Sequence, residues 1–140
     1  MEIKTIQDVK SFLSNPDANI RSFMQNIATV SKTGDYDLTV NLTLSVVDAL
    51  RGMVEYLQDC VHVAQENGYQ DVANAIKYEK NRLAYVCSVV YPVCNEVRAG
   101  TKDLGDIQSA FETVVKDLIS VHDMLTYIPV MITSMANESK

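Results

Sequence analysis

Between residues 40 and 97, apolar side chains recur at alternating spacings of three and four on both sides of the dipeptide Asn67-Gly68. Before it the series is Val40, Thr43, Val47, Leu50, Val54, Leu57, Val61 and Ala64; after it come Val72, Ile76, Glu79, Leu83, Val86, Val90, Val93 and Val97. That spacing keeps one helical face apolar over many turns, so each series predicts a long helix lying along a neighbour. Gly68 suits the left-handed backbone that ends a helix. A helical hairpin follows, with the rest of the chain packed against it.

The other segments carry the same period. Thr5 and Asp8 have the spacing of a capping box, and Ile6, Val9 and Leu13 mark one face of a short first helix. Pro16, with Asn15 as its cap, opens a second piece whose seam is Ile20, Phe23, Ile27 and Val30, closed by Gly34. Together these two pieces read as one strut broken at Pro16. The last helix opens around residues 103–106, where acidic side chains favour the positive end of the helix dipole. Its seam is Ile107, Phe111, Val114, Leu118, Val121, Leu125, Ile128 and Ile132. Pro92 and Pro129 fall inside their helices and predict bends there.

One stretch fits two readings. Leu38, Val40, Leu42, Leu44 and Val46 alternate with polar residues, which is the period of a half-buried strand. Helical spacing also fits, the seam continues in register to Ala64, and no third strand exists to complete a sheet. Helix is therefore the expectation. Short connections force neighbouring helices to run antiparallel, and a 3.5-residue period calls for shallow crossing. The expected fold is all-α: an up-down antiparallel four-helix bundle formed by residues 1–140 as one domain.

With 140 residues, 47% of them hydrophobic and 21% charged, the chain can bury a core without metals or disulfides. Its net charge of −6 and scattered Lys and Arg argue against nucleic acid and against an anionic membrane surface. Three cysteines cannot all pair. Cys87 and Cys94 share a helix and Cys60 is far out of register with Cys87, so all read as buried thiols in a reducing compartment. The N-terminus lacks a signal layout, and the longest apolar run, residues 83–94, is about 12 residues against the ~20 a membrane span needs. A cytoplasmic protein is expected.

Candidate chemistry is sparse. His62 lies near Gln58, Asp59, Glu66 and Glu55, and Asp59 with His62 at i,i+3 could hold a divalent metal. A di-iron bundle needs two Glu-x-x-His motifs, yet Ile119 stands three residues before His122. Neither histidine is followed by the Lys and Gly that mark histidine phosphotransfer domains. The expectation is a solvated charged face shared with Arg51, no cofactor, no metal and no enzymatic activity. Glu79 is the polar intruder in its seam; it reads as a wet, frayed end with Arg82 as ion-pair partner, or else as a polar residue fixing helix register or contacting a ligand.

Two stretches, 83–94 and 124–135, are apolar beyond one stripe. A single four-helix monomer buries one stripe per helix, so the surplus needs further cover, from the first short helix and loops, from a second chain or from a small molecule in a cavity, with a second chain as the leading expectation. Tyr85, Val89, Tyr91, Met124, Met131 and Met135 are its candidate residues, of types that interfaces enrich or that adapt to several partners. The functional expectation is a protein–protein interaction module that self-associates as a dimer and docks other proteins. The alternatives are a coat or scaffold subunit, and a ligand- or metal-binding bundle centred on His62 and Asp59 or on Glu79.

Overall fold

The computed structural model describes residues 2–14 and 36–138. Four helices make up most of these residues, and there is no strand among them: α1 (Ile6–Leu13), α2 (Tyr36–Glu66), α3 (Gln70–Arg98) and α4 (Leu104–Glu138). The fold is an all-α bundle. The ambiguous stretch from Leu38 to Val46 is helical, and it buries Thr39, Val40, Thr43 and Val46 while Leu38 is 50% exposed. A strand would have put Leu38 and Val40 on one face. The strut piece expected after Pro16 lies outside the described residues.

Capping chemistry sets the helix ends. In α1 the Thr5 hydroxyl accepts from the Asp8 amide at 3.1 Å while Asp8 accepts from the Thr5 amide at 3.0 Å. Asp103 and Asp106 exchange the same pair of bonds at the start of α4, at 2.9 and 3.2 Å. The backbone amides of Lys4 and Thr5 hold the Asp8 carboxyl below the ordinary carboxylate range. At the other ends, Gly68 and Gly100 adopt φ of 81° and 84°. Around Gly68 the Tyr69 amide donates to Ala64 O at 2.8 Å and the Gly68 amide to Gln65 O at 3.1 Å, the bond pair of a Schellman turn. A Cβ at Gly68 would meet no atom within 4 Å, so the obstacle to a side chain is backbone conformation alone. Gly68→Ala is expected to cost about 1–2 kcal/mol in urea unfolding with helix content unchanged.

α3 occupies the middle. It packs along α2 on one side and α4 on the other, and α1 packs on α2 and α4 across from it. Antiparallel register between α2 and α3 is fixed at three levels. Lys80 donates to Gln58, the Arg51 guanidinium lies 4.2 Å from the centre of the Tyr91 ring, and Arg98 reaches Asn41 at 3.4 Å. Phe12 of α1 meets Tyr56 of α2 with ring centres 5.5 Å apart. At 1.5 Å per residue α1 spans about 12 Å beside a helix of about 50 Å, so it covers only part of the groove between α2 and α4.

All three long seams face inward. On α4 every seam residue except Phe111 is buried, and on α3 every one except Val93. Each fully buried Leu, Ile or Val contributes roughly 1.5–3 kcal/mol of transfer free energy, which makes these seams the main driving force of the fold. Pro92 and Pro129 sit within α3 and α4, which continue through them. By length and composition residues 104–136 could cross a bilayer, yet the α4 seam from Ile107 to Ile132 is spent on the core.

Candidate interaction surface

The polar candidates are tied into the bundle's own packing. His62 accepts from the Gln58 amide group at 3.1 Å, and the Gln58 oxygen accepts from Lys80, so the imidazole joins a relay between α2 and α3. Asp59, Glu55 and Glu66 are exposed beside it. Among the described residues, no three His, Cys, Asp or Glu side chains lie close enough to hold a metal ion. His122 is buried, with Nδ1 3.1 Å from the Asp123 carboxylate.

Glu79 is not at a wet end: it is 2% exposed, facing inward from α3. The expected partner is present, since Arg82 Nη1 lies 3.8 Å from Glu79 Oε2. Arg82, however, is turned chiefly toward α4, donating to Asp117 at 2.8 Å and to Ser120 at 2.7 Å, with the Tyr78 ring 5.7 Å away. Burial therefore pushes the Glu79 carboxyl above its ordinary value, and Arg82 only partly offsets this. The Asp117 bond in turn raises the guanidinium's pKa. The cluster works as a clasp between α3 and α4.

All three cysteines are free and buried. Desolvation pushes the Cys60 thiol up to about 12 and the Cys94 thiol to about 11, and Cys87 moves the same way. Little thiolate forms near neutral pH, so these thiols are poor nucleophiles.

The interaction candidates divide by exposure. Of the residues singled out in the sequence, Tyr85 is 51% and Met124 40% exposed. Val89, Tyr91, Met131 and Met135 are half-buried against the core, Tyr91 beneath Arg51. Further exposed apolar side chains are Tyr78 at 62%, Tyr127 at 56%, Val130 at 58% and Ile119 at 50%. The Arg82 clasp fixes how these lie. Tyr78 and Tyr85 stand one helical turn either side of Arg82 on α3, while Met124 and Tyr127 stand one and two turns beyond Ser120 on α4. Both sets border the same α3–α4 groove. A separate hollow of about 450 Å³, lined by Lys10, Pro129, Val130, Thr133 and Ser134, lies where α1 meets the end of α4.

Compared with family models, curated proteins and solved structures, the chain matches none. The chain's outer surface differs from helix to helix.

Charge divides it sharply. On α2, Asp37, Asp48, Glu55, Asp59 and Glu66 are all exposed, and at 100° per residue they fall within a sector of about 40°. On α3 no exposed carboxylate occurs between Asp71 and Glu96, because the one acid in that interval is the buried Glu79. Patterning alone could have located this acid-free, tyrosine-bearing face, since Tyr78 and Tyr85 are a heptad apart and opposite the seam.

Proposed function

We propose that the protein is a non-enzymatic helical bundle that works by binding protein, in the first place by associating with itself. The observation that carries this reading is the pair of tyrosines and the Met124–Tyr127 pair exposed along one groove, a density of aromatic and sulfur side chains typical of interfaces. The titratable groups inside the bundle support it too. Arg82, Asp117 and Lys80 are engaged in bonds that join helices.

Sedimentation equilibrium is expected to give a mass that rises from monomer toward dimer with concentration. Tyr85→Asp is expected to weaken association at least tenfold, about 1.4 kcal/mol, with an unchanged far-UV spectrum. A wild-type chain that stays monomeric at millimolar concentration would overturn the proposal.

A further inference from the structure

We infer that the second copy docks on the outer face of α3, the two α3 helices lying antiparallel about a two-fold axis beside Asn81; this rests on the self-association proposed above. Charge selects the face. Each copy carries −6, so two copies repel wherever carboxylates meet. The α2 stripe presents five carboxylates, and the outer face of α4 exposes Glu112 and Asp123. The α3 face presents none from residue 72 to 95 and adds the exposed ammonium of Lys77.

Side-chain size supports the axis. In antiparallel pairing, residues equidistant from Asn81 face one another across the two-fold, as an isologous contact requires. Lys77 then meets the partner's Tyr85, placing an ammonium against an aromatic ring, and Tyr78 meets the partner's Ala84, a large side chain against a small one. Asn81 meets its own copy, where two amides can exchange hydrogen bonds. All five residues are exposed in the single chain. One helix face supplies fewer than the roughly 20 residues a side of a standard interface, so Met124 and Tyr127 complete the rim and the dimer is a weak one.

The buried, high-pKa thiols make the test clean, because a cysteine introduced on the surface is the one that reacts. Asn81→Cys protein, held at a concentration where sedimentation shows dimer, is treated with a short bismaleimide. Most of the chain is expected to become covalent dimer, with Asp59→Cys on α2 giving little. A dimeric mass with cross-linking through Asp59→Cys, or through neither position, overturns the α3 face and leaves self-association standing. A monomeric mass at every concentration overturns both. Lys77→Glu, which puts a carboxylate on the face, is expected to weaken the dimer tenfold or more, and an unchanged constant counts against the pairing.

Discussion

Leu83→Ala is expected to lower the free energy of unfolding by about 2–5 kcal/mol, the range for removing a fully buried leucine from a packed core. Leu83 is 0% exposed, near the middle of the long helix that packs along both α2 and α4. The cavity would therefore open where neighbouring elements are least free to collapse into it. Leu38→Ala removes the same atoms from a site 50% exposed at the start of α2, and is expected to change stability by less than about 0.5 kcal/mol. Urea unfolding of both variants gives the comparison. Equal losses at the two sites would mean that the seams do not carry the fold.

Glu79→Leu is expected to stabilise the protein at pH 7 by about 1–4 kcal/mol, because exchanging a buried ionic group for an apolar one removes a desolvation cost that its partner does not repay. Arg82 is 3.8 Å from Glu79 and committed to Asp117 and Ser120, so the variant keeps the α3–α4 clasp. The pH dependence follows from the direction of the shift. The carboxyl is held above its ordinary 4.5 in the folded state, so protonation favours folding. Glu79's contribution is fully present below about pH 4.5 and is lost as pH rises through the higher folded value. The gap between variant and wild type should widen over that interval and narrow in acid. Arg82→Ala has the opposite sign, about 1–3 kcal/mol destabilising, since it leaves Glu79 buried without a cation and removes two bonds to α4. A Glu79→Leu variant less stable than wild type at pH 7 would show instead that the carboxylate has a partner strong enough to hold it charged.

The helix pattern was legible because a seven-residue repeat is a local property: it needs no knowledge of which element comes next. Glu79 shows where that locality ends. Tyr78, Lys80 and Arg82 around it look like a solvated turn, but Lys80 folds onto Gln58 of α2 and Arg82 onto Asp117 of α4, and the two neighbours close over the acid. The apolar surplus from Leu83 to Cys94 has a similar origin. A helix flanked on two sides buries a wide sector, so Tyr91 lies under Arg51 of α2 and Val93 packs on the core. Tyr78 is 62% exposed, the highest value among the large hydrophobic side chains of the described residues. The sign that marks its face is the lack of exposed carboxylates from residue 72 to 95, where the one acid, Glu79, occupies the seam.

Native-state hydrogen exchange across the whole chain tests most directly the claim that α3 is the element around which the bundle is built. The amides of residues 83–90 are expected to exchange only through global unfolding, with an opening free energy equal to that from urea denaturation and the highest in the protein. Slower exchange in the middle of α2 or α4, or release of residues 83–90 through a partial opening that leaves those helices protected, would contradict it.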